Sequence, residues 1–244
     1  MVLIVHLQLF ANERWETYLK EDLKQFGRHL NLQTALIAGG WIAGMYLLSE
    51  VDTDLNTSVK SLYHGGWQTY FNSIDYLGYA PYSVPVSLGI TGLTLLGKDK
   101  KLQDAAFTSS EAAVVSGVIV SFVKLIVGRT RPEARQGPHN FNPFSDFDAS
   151  FPSGHSSTAF ALVTPWIYYY PHPLTYLLLV FPASTAIARM ALDRHWFTDV
   201  LTGSVLGSLI GVSLAKWHND LAKEKYYYGP PQPPATVISL SFSL

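Results

Sequence analysis

Six stretches of the chain carry few or no charged side chains, and polar segments separate them. These stretches are residues 34–49, 76–97, 105–128, 200–215 and the two halves of 156–188, which Pro171-His172-Pro173 divides. A helix that crosses a bilayer needs about 20 apolar residues, with a range of about 17–25. Several of the stretches are short unless their polar flanks lie in the membrane interface. The pattern predicts an all-α protein with a six-helix core bundle and favours a transmembrane protein over a soluble bundle.

The polar segments divide the chain into three parts. Residues 1–33 form an arm and a helix, 34–217 form the helical domain, and 218–244 form a polar, proline-rich tail. Apolar and charged residues alternate with helical spacing in 12–31, which predicts an amphipathic helix. The apolar segment 1–10 lacks a basic start, and a trimmed signal sequence and a buried arm are both compatible with it.

Composition narrows the function classes. Only 14% of the residues are charged and 48% are hydrophobic, whereas a soluble domain carries about 25% charged residues. The net charge of -1, with lysines and arginines scattered, argues against a nucleic-acid-binding protein. The absence of cysteine excludes disulfides, thiolate metal ligands and cysteine nucleophiles.

The distribution of lysine and arginine predicts an orientation in the membrane. If the N-terminus is cytoplasmic, ten of these residues fall on the cytoplasmic side and seven on the other side. The positive-inside rule then places the loops after the third and fifth stretches outside. The expected location is the inner membrane of a bacterial-type cell with those loops facing the periplasm, and a periplasmic protein is the alternative.

The first cluster of candidate residues ends the third apolar stretch. Lys124 and Arg131 are seven residues apart, so they would share one face of a helix. Two cations beside an apolar segment are costly unless an anion meets them. A solvated basic helix end is the alternative. Nearby Arg129 and Arg135 are expected to lie in a solvated loop.

The second cluster precedes the fourth stretch and contains Ser153, Gly154 and His155 after Pro152. Proline and small residues here predict the start of a helix. The free N–H groups and partial positive charge of a helix N-terminus suit a phosphate. A serine cap beside an incidental histidine is the alternative.

The third cluster, which contains Arg189, His195 and Asp199, leads into the last stretch. His195 and Asp199 are four residues apart, so on a helix the carboxylate could hold one ring nitrogen and leave the other basic. A surface contact is the alternative. In a six-helix topology the three clusters lie on one side of the bundle and can converge.

Two further groups remain. Glu111 lies within the third stretch and is a functional candidate if that stretch spans lipid. The other six histidines have no partner at a helical spacing, and we expect them to be structural: His6, His29, His64, His139, His172 and His218.

The three clusters together resemble the signature of the type 2 phosphatidic acid phosphatase (PAP2) superfamily, whose relatives include bacterial acid phosphatases and vanadium haloperoxidases. The matching motifs are Lys-x6-Arg-Pro, Pro-Ser-Gly-His and Arg-x5-His-x3-Asp, between Lys124 and Asp199. Ala188 departs from the pattern, because serine usually precedes the arginine of the third motif.

The resemblance implies a role for each motif residue. Lys124, Arg131 and Arg189 would hold the phosphoryl oxygens, and Ser153 and Gly154 would complete the phosphate site. His195 would attack phosphorus with Asp199 orienting it, and His155 would protonate the leaving group. No metal and no cofactor are expected.

The resemblance also implies a substrate class. The expected activity is hydrolysis of a lipid phosphate or diphosphate, such as phosphatidic acid, phosphatidylglycerophosphate or a polyprenyl diphosphate. The expected partner is the membrane, and no nucleic-acid partner is expected. A hydrophobic slot for the lipid chain should open beside the motifs. The alternatives are a soluble or peripheral periplasmic acid phosphatase, a vanadate-dependent haloperoxidase and a lipid-phosphate binder without turnover. The sequence leaves the oligomeric state open.

Overall fold

The chain folds into helices joined by loops in a computed structural model that describes residues 12–145 and 148–227. No β-strand occurs within these residues. The helices are α1 (Glu13–His29), α2 (Leu32–Leu48), α3 (Asp52–Lys60), α4 (Gly65–Ile74), α5 (Ala80–Thr94), α6 (Lys100–Val127), α7 (Gly154–Tyr169), α8 (Val180–Ala191) and α9 (Phe197–Ala222). The prediction of an all-α fold is confirmed.

The six apolar stretches form α2, α5, α6, α7, α8 and α9. A 3-10 helix, Pro173–Leu179, leads into α8 and follows the predicted break at proline. The last helix continues to Ala222, so it includes the first five residues of the segment expected to be a tail. Residues 1–10, and residues 228–244 of that tail, lie outside the described residues.

Helix α7 packs between α6 and α9 at the centre of the bundle. One cluster of buried side chains joins the three helices through Ala112, Ala161, Ile210 and Leu214. Gly203 and Gly207 let α9 lie directly against α7, because a Cβ atom on either glycine would be 2.3 or 2.1 Å from the carbonyl oxygen of Ser153 or Ser157. Small residues at such contacts are typical of helix packing within membranes.

Four helical stretches are long and apolar enough to cross a membrane: Leu32–Lys60, Lys100–Val127, Pro173–Ala191 and Phe197–Tyr226. Helix α2 buries none of its side chains against the rest of the described chain. Its apolar residues, including Leu36, Ile37 and Leu47, are exposed, which suits lipid rather than water. The chain is a helical membrane protein.

The predicted amphipathic helix is confirmed as α1, which lies against α6 and α9. Its buried side includes Trp15, whose ring stacks on Phe107 with centroids 4.7 Å apart. The guanidinium Nε of Arg14 lies 2.8 Å from a carboxylate oxygen of Asp104 on α6. An aromatic contact and a buried ion pair therefore hold α1 at the end of the bundle where α6 begins.

We expect the chain to remain with the membrane fraction through high-salt and alkaline washes and to dissolve only in detergent, because most of the apolar surface of α2 is exposed within the described residues. Immunoblotting of the washed fractions checks this. A control protein held only by charge should leave in the same washes. Recovery of folded, monodisperse protein without detergent would contradict the prediction and favour the soluble alternative.

Candidate active site

The three motifs converge on one cavity. Helices α6 and α8 end, and α7 and α9 begin, at the same end of the bundle. The cavity there has a volume of about 260 Å³. The motif residues that line it are Lys124, Arg131, Gly154, His155, Arg189 and His195. Residues that lie up to 71 positions apart, from Lys124 to His195, thus share one small space.

Three cationic side chains face the cavity and have different partners. The Nζ atom of Lys124 donates to the carbonyl oxygen of Ala149. Arg131 donates from Nε to the carbonyl oxygen of Asp148 at 2.9 Å and also contacts the carboxylate of that residue. These bonds fix the direction of both cations.

Arg189 comes from α8, and its side chain is 7% exposed. It donates to the Asp75 carboxylate at 2.8 Å, while its buried Nε has no hydrogen-bond partner within the described chain. A buried guanidinium with an unused N–H donor can bind a further anionic ligand.

The N-terminus of α7 supplies backbone donors to the cavity. Gly154 and His155 are the first residues of the helix and line the cavity. Ser153, which the resemblance places beside the phosphate, is fully buried and is not among the residues that line the cavity. Its Oγ atom caps α7 by accepting from the backbone N–H of Ser156 at 3.3 Å. Its observed role is to fix the helix start.

His195 is almost fully buried, and its ring is held by the backbone. Its Nδ1 atom lies 2.8 Å from the carbonyl oxygen of Ser150. A carbonyl only accepts, so Nδ1 carries the proton and Nε2 keeps its lone pair. The expected direct bond to Asp199 is not made, because the nearest carboxylate oxygen is 3.7 Å from Nδ1. That oxygen instead accepts from the backbone N–H of Trp196 at 2.9 Å.

The electrostatics of the site favour a neutral His195. Burial is the largest cause that lowers the pKa of this imidazole well below its usual value, and the charges of Arg189 and Lys124 lower it further. The carbonyl oxygen of Ser150 opposes this shift, because it accepts a hydrogen bond from Nδ1–H of the ring. Nε2 is therefore an unprotonated nitrogen near neutral pH.

Arg129 belongs to the buried support of the site, contrary to the expected solvated loop. It is 3% exposed and donates to Asp199 at 2.6 Å and to Asp52 at 2.7 Å. It also donates to Thr198 at 2.7 Å. These bonds tie the loop after α6 to α3 and to the first turn of α9, just behind His195.

Asp75 is a second residue that the motif pattern did not identify. Its Oδ2 atom accepts from Arg189 and lies 3.7 Å from Nε2 of His155. The ring of Tyr79 lies beside the same imidazole, with centroids 5.6 Å apart. The segment before α5 therefore completes the wall of the cavity around His155.

The position at which the third motif departs from the family pattern lies away from the cavity. Ala188 is fully buried in an apolar cluster with Phe71 and Ala191. It is not among the residues that line the cavity. In this chain position 188 therefore contributes packing between α8 and α4.

A known protein family matches the part of the chain that contains the three motifs. Residues 106–223 match the family model of the PAP2 superfamily, and this range contains all three motifs. Over these 118 residues the chain is similar to the PAP2 superfamily. The match begins within α6 and ends at the start of the turn that follows α9.

Curated relatives of this chain include two lipid A 1-phosphatases. The protein from Porphyromonas gingivalis is 27% identical over 173 residues, which are 69% of this chain and 36% of the relative. The protein from Rhizobium johnstonii is 30% identical over 99 residues, covering 39% of this chain and 40% of the relative. The chain thus spans less than half the length of these relatives.

Among solved structures, LpxE of Aquifex aeolicus is similar to this chain with 17% identity and a TM-score of 0.49. The alignment covers 68% of this chain and 95% of LpxE.

We expect Arg129→Met to destabilise the protein by about 3–5 kcal/mol, because it leaves Asp52 and Asp199 buried without their cation. Thermal unfolding in detergent measures the loss. Arg135→Met is the matched control, since Arg135 is 66% exposed and pairs at the surface with Asp193. Equal melting temperatures for the two variants would contradict a structural role for the buried ion pairs.

Proposed function

We propose that this chain hydrolyses a lipid phosphate or diphosphate through a phosphohistidine at His195. One observation carries the proposal: a buried imidazole with a free Nε2 shares its cavity with three cations and the start of a helix. A nucleophile, a charge-stabilising site and a second histidine as general acid and base are together sufficient for phosphoryl transfer.

The cations would bind the phosphoryl group. Charge in a phosphoryl-transfer transition state spreads over the equatorial oxygens, so fixed positive groups around them are the main stabilising element. Arg189 and Arg131 can bind two oxygens each, whereas Lys124 acts as a point charge. The backbone N–H groups of Gly154 and His155 would add donors at the positive end of α7.

The reaction would then proceed in two steps. In the first, Nε2 of His195 attacks phosphorus, the ester P–O bond breaks, and His155 gives a proton to the departing oxygen. In the second, His155 takes a proton from water, whose oxygen attacks phosphorus and breaks the P–N bond. Inorganic phosphate leaves and both histidines return to their starting state. Burial, and next the charge of Arg189, lower the pKa of His155 well below its usual value. A bound phosphoryl anion would oppose this shift and, with Asp75 beside the ring, would stabilise the protonated form that the first step needs.

A second cavity supports a substrate with a hydrocarbon chain. It has a volume of about 610 Å³ and is almost wholly apolar. Its walls include Tyr82, Val86 and Ile90 of α5 and Leu162 and Trp166 of α7. Residues 76–83 contribute to this cavity and also to the cavity that the motif residues line, which is the proposed phosphate cavity. An acyl or prenyl chain could lie there while its phosphate reaches His195.

The relatives favour lipid phosphates as the substrate class. Two are named lipid A 1-phosphatase, and one from Drosophila melanogaster, 36% identical over 84 residues, is named putative phosphatidate phosphatase. We therefore include the 1-phosphate of lipid A beside phosphatidic acid, phosphatidylglycerophosphate and polyprenyl diphosphate. The lysine and arginine distribution supports an active site that faces outward.

We expect His195→Ala to lower kcat on the preferred lipid phosphate by about 10⁴-fold or more, because the nucleophile is lost. Phosphate release from a panel of these lipids, with detergent-solubilised protein, measures the change. His172→Ala is the matched control, because His172 lies in the loop before the 3-10 helix at the other end of the bundle. Wild-type protein should also form an acid-labile phosphoenzyme that His195→Ala lacks.

Several results would contradict the proposal. They are turnover by His195→Ala, a phosphoenzyme with the stability of a phosphoserine, or activity that EDTA abolishes and Mg²⁺ restores in folded protein. Bromide oxidation with added vanadate would instead favour the haloperoxidase alternative.

The lowered pKa of His195 predicts a pH profile. Because nearby cations disfavour the imidazolium, the free enzyme keeps a neutral nucleophile into the acidic range. Removing one cation in Lys124→Gln should raise the pKa of His195, so the acid limb of kcat/KM should move to higher pH even as the rate falls. Lys60→Gln, outside the cavity, is the control. An acid limb at the same pH in all three proteins would contradict this electrostatic account.

A further inference from the structure

A second cluster of metal-ligating side chains lies at the opposite end of the bundle. It brings together Asp22 of α1, Glu111 of α6 and His218 of α9. One donor atom from each residue lies within 4.8 Å of the others. Nε2 of His218 is 2.8 Å from Oδ2 of Asp22 and 3.5 Å from Oε2 of Glu111. Glu111 and Lys124 are 13 positions apart on α6, so about 20 Å separates this cluster from the active site.

The two carboxylates of the cluster are buried and incompletely satisfied. The side chains of Asp22 and Glu111 are 5% and 8% exposed. Oδ1 of Asp22 and Oε2 of Glu111 are buried and accept no hydrogen bond within the described residues. Two adjacent carboxylates out of water repel one another and need a shared cation or a shared proton.

His218 is held in the way that metal-binding histidines usually are. Its Nδ1 atom lies 2.7 Å from the hydroxyl oxygen of Thr108, and its ring stacks on Tyr18 with centroids 4.3 Å apart. Nε2 lies within hydrogen-bond distance of Oδ2 of Asp22. When Nδ1–H donates to the Thr108 hydroxyl instead, Nε2 turns its lone pair toward the carboxylates, an arrangement that a cation between them would stabilise. A partner on the second ring nitrogen fixes the tautomer and the ring orientation of a ligand.

The cluster also has a route for an ion. A cavity of about 250 Å³ reaches Asp22 and His218. Its wall carries three more acidic residues: Glu21, Asp220 and Glu224. Their negative potential would attract a cation, and the space would admit water to the coordination positions that the three protein ligands leave open.

We propose that Asp22, Glu111 and His218 form a binding site for a divalent transition-metal ion of the Zn²⁺ or Mn²⁺ kind. One imidazole and two carboxylates suit these ions better than Mg²⁺ or Ca²⁺, which prefer oxygen ligands alone. Donor atoms around a tetrahedral Zn²⁺ are about 3.3 Å apart, close to the 2.8 and 3.5 Å between the donor atoms here. The ion would join α1 to α6 and α9 and would take no part in phosphoryl transfer.

The test uses the full chain in detergent, without a histidine tag and freed of metal by chelation. ZnCl₂ and, separately, MgCl₂ are titrated while binding is followed by calorimetry and thermal unfolding. We expect one Zn²⁺ per chain and a higher melting temperature with Zn²⁺ than with Mg²⁺. Glu111→Gln and His218→Gln should each weaken Zn²⁺ binding by about 100-fold. Glu21→Gln, which removes the same charge beside Asp22 but no ligand, should weaken binding far less than either ligand variant does.

Independent readouts separate the metal from a merely structural contact. Co²⁺ bound in place of Zn²⁺ should give a visible absorption spectrum that is lost in His218→Gln. Hydrogen exchange in α1 should slow on adding Zn²⁺ to the wild type and stay unchanged in Glu111→Gln. No saturable binding at this cluster, or Zn²⁺ stabilisation that survives in both ligand variants, would overturn the proposal and favour a proton shared by the carboxylates. Phosphatase activity is not needed for any of these measurements, so failure here leaves the proposed function untouched.

Discussion

The close approach of α7 and α9 is the contact on which the candidate site depends. A membrane offers little hydrophobic driving force between helices, so packing there relies on backbones that can touch. Gly203 and Gly207 provide this, because the carbonyl oxygens of Ser153 and Ser157 occupy the places that their Cβ atoms would take. The start of α7, with His155, therefore lies beside the start of α9 and His195. Larger residues would move the two histidines apart.

Charge is arranged differently behind the cavity and at its edge. Arg129 lies between two fully buried carboxylates, so its position is fixed whether or not a ligand is present. The carboxylates that hold the cavity arginines are more accessible: the side chain of Asp75 is 20% exposed and that of Asp148 is 75% exposed. Water can solvate these carboxylates when a phosphate takes their place. The cations are thus held in position before binding, yet remain able to exchange one anion for another.

The hydrophobic pattern predicts the helices, and the motif spacing predicts most of the cavity lining. Both signals are local, because each depends on the period of a helix or on a few neighbouring residues. The sequence predicts a solvated loop for Arg129, because its partner Asp52 lies 77 positions away and in no motif. Asp75 also lies in no motif, and the Ser150 carbonyl carries no sequence signal at all. The sequence marks Glu111 as a candidate and His218 as structural, and only the fold brings them together with Asp22.

The two cavities separate two kinds of recognition. The motifs surround the phosphate cavity, whereas α5 and α7 supply the apolar cavity from residues outside the motifs. Gly78 lies against the backbone of His155, so the segment before α5 is fixed to the phosphate site. Residues further along α5, such as Val86 and Ile90, can vary without moving the chemistry. Under the proposed function, α5 is therefore the element whose side chains would select the lipid tail.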